Sequence, residues 1–440
     1  MRDIVIFCLI FGMVPMMMKR PAIGALVFMW ISIMNPHRLA YGAAHDFPFA
    51  ALVAAVTLLG AVFTKEQRRY PLTPITVILV LFCLWMTLTS LFGLLPELLW
   101  NEWNRVIKTL FMVGLTIALV NSESDLKKLM WILGLSLGFY GFKGGLFTLA
   151  SGGTYRVWGP EGSYIAENNS LALALVMAVP IIWYLRLQAE RRWVRHALEV
   201  LAVLSVISAA GSYSRGAMIG GVAMMGLLWL KSRSKLSTGL VLLLIIPIVL
   251  MAMPEQWMER MTSVGEYKTD ASALGRINAW YFAIEVAKRH FLGGGFLAFN
   301  PYLFTIYAPV PWDFHAAHSI YFQVLGEHGF IGLAFYLSLI VATWRSASRI
   351  IKACRTHPDH KWASDLAAMC QVSMVGYLVG GAFLSLAYYD YPYYLMAALV
   401  ITEKILSERK ILVKGKVPFA QRQVTRQRSA VIKPENLHAR

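Results

Sequence analysis

The sequence predicts an all-α fold, a polytopic helical membrane protein of about twelve transmembrane helices. Three observations lead there. Of 440 residues, 58% are hydrophobic and only 15% charged, against roughly 25% charged in an ordinary soluble domain. Apolar runs recur from Ile4 to Leu406, near the roughly 17–25 residues that a helix needs to cross a bilayer. These runs are apolar on every side and do not alternate, which favours helices over barrel strands. With mean hydropathy at +0.56, a soluble enzyme, a disordered chain and a secreted disulfide scaffold are all unsuitable readings.

In order, the apolar segments are 3–17, 21–36, 47–64, 72–94, 106–121, 125–149, 167–187, 197–213, 216–231, 238–253, 318–344, 366–388 and 391–406. The first begins after Arg2 without a small-x-small cleavage site, so it is expected to stay as an anchor. The first two are short. If one of them is partial, twelve crossings remain and both termini are cytoplasmic. Cationic clusters set the orientation: Lys65 to Arg69, Arg186 to Arg195, Lys231 to Lys235 and Arg345 to Lys361 read as cytoplasmic. Residues 150–166, the turn at Ser214-Arg215-Gly216 and the stretch 254–317 then face the periplasm. Four units follow: an N-terminal bundle at 1–253, a periplasmic helical segment at 254–317, C-terminal membrane helices at 318–406, and a basic cytoplasmic tail at 407–440. The tail reads as disordered chain near anionic lipid.

Lys and Arg number 41 against 24 Asp and Glu, a net charge of +17. Cytoplasmic loops and helix ends account for most of it, so nucleic acid is not an expected partner. Cys8, Cys83, Cys354 and Cys370 are dispersed without metal-ligand spacing. Walker, dinucleotide, nucleophile-elbow and paired-cysteine motifs are absent from the sequence, and no cofactor is expected. A substrate that brings its own leaving group, such as a lipid diphosphate, meets that requirement.

The stretch 254–317 is the one long hydrophilic interruption. Within it, Gly275 to His290 places Trp280, Ile284 and Ala287 at helical spacing with Arg276, Glu285 and Lys288 between them. This predicts an amphipathic helix over the bundle, opened by Arg276 and ended by flexible backbone at Phe291 to Gly295. A cap or functional lid is expected.

Some charged and polar residues fall outside the orientation pattern. Arg215, on the side where cations are disfavoured, reads either as a snorkelling side chain or as a guanidinium fork for a diphosphate. Small neighbours Ser214, Gly216 and Ala217 would then let a headgroup approach. Arg276 at a helix start opposes the macrodipole, which a bound polyanion would justify; a solvated charge is the alternative. Lys288 and Arg289 already suit a helix C-terminus. His318 stands where the external segment meets the membrane, suited to taking a proton near neutral pH or simply to anchoring the helix end. His315 lies one turn earlier with Asp313 nearby, but a third ligand is missing and no metal is assigned. Asn168 and Asn169 read as caps or sugar contacts. Tyr388, Tyr389, Tyr391, Tyr393 and Tyr394 read as an interfacial aromatic belt, with Asp390 facing the compartment of His318.

At His318 the sequence resembles the bacterial O-antigen ligase family, polytopic membrane glycosyltransferases of lipopolysaccharide assembly. The family signature is a histidine followed by Asn, Ser or Gln, nine residues, a glycine, two residues and a small residue or Tyr. Here it is His318-Ser319, Ile320 to His328, then Gly329-Phe330-Ile331-Gly332. Two family arginines, one on a short periplasmic turn and one in the large periplasmic segment, correspond to Arg215 and Arg276. Met34 to Leu39 (Met-Asn-Pro-His-Arg-Leu) also resembles the exosortase-associated subgroup. The resemblance spans about residues 20 to 420. It implies a GT-C-like bundle in the inner membrane and metal-independent, inverting transfer. Undecaprenyl-diphosphate-linked O-antigen is the implied donor, and a sugar hydroxyl of lipid A-core is the implied acceptor. His318 would be the base and Arg215 and Arg276 the diphosphate clamp, with Ser319, Asn168, Asn169, His315, Lys288, Arg289 and Asp390 as further contact candidates. Two enzyme alternatives share the donor: an O-antigen polymerase and a protein O-glycosylating ligase. A lipid-linked glycan transporter would need ionisable residues in mid-span, and few are visible.

Overall fold

The computed structural model describes residues 1–65, 70–232, 234–236, 239–240, 243, 253–262 and 271–412. Residues 66–69 of the first basic cluster, nearly all of the expected span 238–253 and the tail beyond 412 lie outside the described residues. The described elements are all helical. They are α1 (Arg2–Lys19), α2 (Pro21–Met34), α3 (Phe49–Phe63), α4 (Pro74–Leu91), α5 (Pro96–Leu119), α6 (Glu123–Ala150), α7 (Asn168–Gln188) and α8 (Arg192–Ala210). After these come α9 (Arg215–Lys231), α10 (Glu255–Thr262), α11 (Ala271–Arg289), α12 (Pro301–Tyr307), α13 (Ile320–Cys354), α14 (Lys361–Gly380) and α15 (Asp390–Glu408).

Local chemistry fixes several of these boundaries. Proline at the first helical position starts α2, α4, α5 and α12, where its missing N–H costs nothing. Thr73 and Thr76 form a reciprocal capping box before α4, and the Ser122 hydroxyl accepts the Asp125 N–H before α6. Asn35, left-handed at φ 50°, ends α2.

Among the described residues, six helical stretches are both long and apolar enough to cross a membrane: α4, α6, α7, α8, α13 and residues 358–383 around α14. Shorter apolar helices α2 and α3 have 14 and 15 residues, about 21–23 Å at the helical rise against a hydrocarbon core of roughly 30 Å. The chain is a polytopic helical membrane protein. Its outward faces agree: α4 buries Leu79, Phe82 and Met86 while exposing Leu84, Leu88 and Leu91, a continuous apolar stripe suited to lipid.

The centre of the bundle holds α7, α14 and α15, and α15 is buried at every position from Tyr391 to Leu406. Between membrane helices, lipid is as apolar as Leu, so close packing and interhelical hydrogen bonds provide the cohesion. The Ser373 hydroxyl donates to Met177 O at 2.7 Å, joining α14 to α7. Lys404 Nζ donates to Ile117 O and Asn121 Oδ1, both at 2.8 Å, joining α15 to the end of α5.

Two expectations change here. The tyrosines at 388, 389, 391, 393 and 394 are buried, not interfacial. Tyr388 OH donates to Glu327 at 2.5 Å and Tyr393 OH to Ala387 O at 2.8 Å, so for these two a partner inside the bundle replaces a headgroup. The glycines after α11 are not loose either. Gly294 N–H donates to Gly326 O and Gly295 N–H to Glu327 O, at 2.9 and 2.8 Å. They reach α13 because that helix is broken at Gly329, where φ is 66° and ψ −172°, a conformation essentially reserved for glycine.

Candidate functional site

Helix α11 and the segment that leads into α13 build the site together. Asn278 on α11 holds the 308–313 connection at three points. Its Nδ2 donates to Val310 O and Asp313 O, each at 2.9 Å, and its Oδ1 accepts the Val310 N–H at 3.0 Å. Two residues further along α11, Trp280 Nε1 donates to Ala317 O at 3.0 Å, and its ring stacks on Phe322 of α13 at 4.9 Å. The main chain on both sides of His315 is thereby fixed against α11. His315 Nε2 pairs with Asp313 Oδ1 at 2.9 Å.

His318 is half-buried. Burial first, then the charges of Arg276 and His315, hold its imidazole down to about 4 from the ordinary 6.5. The base candidate is therefore neutral at pH 7, as proton abstraction demands. Its main chain is left-handed at φ 41°, uncommon for a residue with a Cβ. The His318 N–H donates to Ser385 Oγ at 2.8 Å. Ser319 is buried at the N-cap of α13 and makes no side-chain cap bond.

Arg276 lies in the second turn of α11, which starts at Ala271. The expected role of opening that helix is thus corrected, and the dipole conflict falls away because it is confined to the first turn. Arg215 takes the terminal position instead, first in α9, with Ser214 capping through the Ala217 N–H at 3.3 Å. An anion at Arg215 could use both the guanidinium and the open amides of the helix start. The small neighbours do other work than expected. Ser214 caps, Ala217 is buried, and a Cβ on Gly216 would meet Phe383 at 3.0 Å. Gly216 thus abuts the same 381–389 connection that carries Ser385.

Other expected residues sit elsewhere. Lys288 and Arg289 are exposed at the far end of α11, both paired with Glu285. Twelve residues of helix put Lys288 about 18 Å from Arg276. Asn168, first residue of α7, does not cap; its Nδ2 donates to Ser212 O at 2.7 Å and braces the α8–α9 turn next to Arg215. Asn169 is half-buried alongside. Asp390 is buried and accepts from Ser32 Oγ at 2.5 Å, tied to α2. Asn278 and Ser385 do not stand out in the sequence. For Ser385 the available signal was a hydroxyl inside the apolar run 366–388; for Asn278, nothing local marks it.

Residues 1–190 match a family of unknown function, and residues 200–337 match the family described as O-antigen ligase. No curated protein matches the chain. The second match runs from α8 into α13, past the break at Gly329, and takes in Arg215, Arg276 and His318. Over residues 200–337 this membrane protein is thus similar to the O-antigen ligase family.

Proposed function

We propose that the protein transfers O-antigen polysaccharide from undecaprenyl diphosphate to a sugar hydroxyl of lipid A-core, at the periplasmic face of the bacterial inner membrane. The observation that carries this reading is the packing of α11, which bears Arg276, onto the segment that ends in a half-buried His318 at the mouth of α13. Arg276 and Arg215 hold the donor diphosphate and offset the charge that grows on it. His318 accepts the proton of the acceptor hydroxyl. The acceptor oxygen forms a bond to the anomeric carbon while the bond from that carbon to the diphosphate oxygen breaks, and the diphosphate leaves with the electron pair. Attack from the opposite face inverts the anomeric centre. No covalent sugar intermediate and no metal enter the scheme.

Among the described residues the one hydrogen bond of His318 is made by its main chain, and the imidazole nitrogens are left for substrate. The test is transfer in vitro with purified protein, lipid-linked O-antigen and lipid A-core, with and without chelator. His318→Ala is expected to lose about 100-fold or more in rate, the usual weight of general base catalysis. Full activity of that variant would overturn the base assignment. Loss of product with chelator would overturn the metal-free scheme, and product formed only on a second lipid-linked repeat would reassign the acceptor.

A further inference from the structure

His318 occupies an unfavourable backbone region at a helix entrance, and such a residue persists only where its surroundings over-determine it. Two neighbours do so here. On the preceding residue, Ala317 O is held by the Trp280 indole at 3.0 Å. On His318 itself, the N–H is accepted by Ser385 Oγ at 2.8 Å. Because φ at this residue turns the direction of its side chain, the acceptor for the N–H also determines where the imidazole points.

Ser385 sits on a stretch that has little freedom of its own. Tyr377 OH donates to Leu386 O at 2.9 Å, and Gln323 Oε1 accepts the Ala387 N–H at 3.2 Å. Tyr388, one residue further, is anchored on Glu327. Gln323 and Glu327 belong to the first turns of α13, the helix that His318 introduces. The hydroxyl is thus referenced to the same helix as the histidine, through the connection between α14 and α15.

We propose that Ser385 is a positioning residue for the transferase reaction: its hydroxyl, as acceptor of the His318 N–H, holds that histidine in the left-handed conformation that aims the imidazole at the acceptor hydroxyl. The proposal rests on His318 acting as the base. Ser385 touches no reacting atom, so its removal should affect the rate of the chemical step and leave donor and acceptor binding alone.

The experiment is a kinetic comparison of Ser385→Ala, Ser385→Thr and both changes combined with His318→Ala, using the full chain in detergent or nanodiscs. Ser385→Ala is expected to lower kcat about tenfold, the weight of one lost hydrogen bond that orients a catalytic group, with KM within about twofold. Ser385→Thr, which keeps the acceptor, should recover most of the rate. In the His318→Ala background, Ser385→Ala should lower the residual rate no further. An unchanged kcat in Ser385→Ala, or an equal loss with and without His318, overturns the proposal. Should Ser385→Ala yield no folded protein, Ser385→Cys replaces it, with a weaker acceptor and an intermediate kcat expected; wild-type kcat there counts against the proposal. Full activity of His318→Ala alone marks failure of the base assignment itself, a separate outcome.

Discussion

Gly275 and His315 are in such close contact that a Cβ built on the glycine would lie 2.2 Å from the imidazole. The pair fits the 308–319 segment onto α11 one residue before Arg276. Replacing Gly275 by alanine would usually favour a helix by removing backbone entropy from the unfolded chain. Here the methyl group must displace His315 and its partner Asp313. Gly275→Ala is expected to destabilise by about 1–3 kcal/mol, the range for overpacking, and to lower transfer more than thermal stability alone would suggest. A thermal shift assay alongside kcat reads both.

The pH dependence follows from the His318 imidazole, held at about 4 in the folded protein against 6.5 ordinarily. A base must be unprotonated, so kcat/KM should hold as pH falls past 6.5 and decline only as it approaches 4. Arg276→Gln removes one cause of the lowering, so its acid limb should move upward while the rate at neutral pH falls about 100-fold through loss of charge stabilisation. For stability the sign is the reverse of a salt-bridged histidine. Below 6.5 the unfolded chain takes up a proton that the folded chain refuses until about 4, so this residue's contribution makes folding less favourable across that window as pH falls. A profile with its acid limb at 6.5 in wild type would count against the burial and charge described for His318.

Gly329 should tolerate no side chain. At φ 66° and ψ −172° its backbone is in a region closed to other residues, and a Cβ would meet Phe291 O at 2.5 Å. Gly329→Ala is expected to cost about 3 kcal/mol or more and to reduce the yield of monodisperse protein in size-exclusion chromatography. The loss should appear as missing protein, with no change in the reaction rate of the remaining folded fraction.

Lys288 provides the contrast. It is exposed and paired with Glu285 at 3.1 Å, an arrangement of little energetic weight. Lys288→Gln should leave transfer within about twofold of wild type, and the same is expected of Arg289→Gln. A large loss in either would extend the donor site along α11 to its far end.

Much of the architecture could be read directly from the chain. Apolar runs and their charged ends placed 125–149 against α6 at Glu123–Ala150, and 167–187 against α7 at Asn168–Gln188, because a membrane-spanning helix writes its length into local composition. The histidine signature marks His318, and the charge pattern marks two arginines, of which the structure puts Arg215 at a helix start and Arg276 in the second turn of α11. What local patterns do not record is pairing across distance. Tyrosines near a chain turn look the same whether they face headgroups or, as Tyr388 does, a buried Glu327. Ser385 is remote in sequence from the residue it holds. The start of α11 at Ala271 is not legible because Gly275, a poor helix former, interrupts the pattern one turn in.

The break at Gly329 also has a consequence for the main chain around it. In an uninterrupted helix the carbonyls of residues 326, 327 and 328 would be used by the next turn. Here they serve partners from outside: Gly294 N–H, Gly295 N–H and Trp85 Nε1, the last at 2.9 Å. Where water is scarce, an interrupted helix is tolerable only if each freed carbonyl finds a new donor. This splice substitutes three contacts with two other elements for three within one helix. The short piece that follows His318 is consequently wired into α4 and the chain after α11. The signature glycine is thus a junction at which the scaffold exchanges internal continuity for attachment.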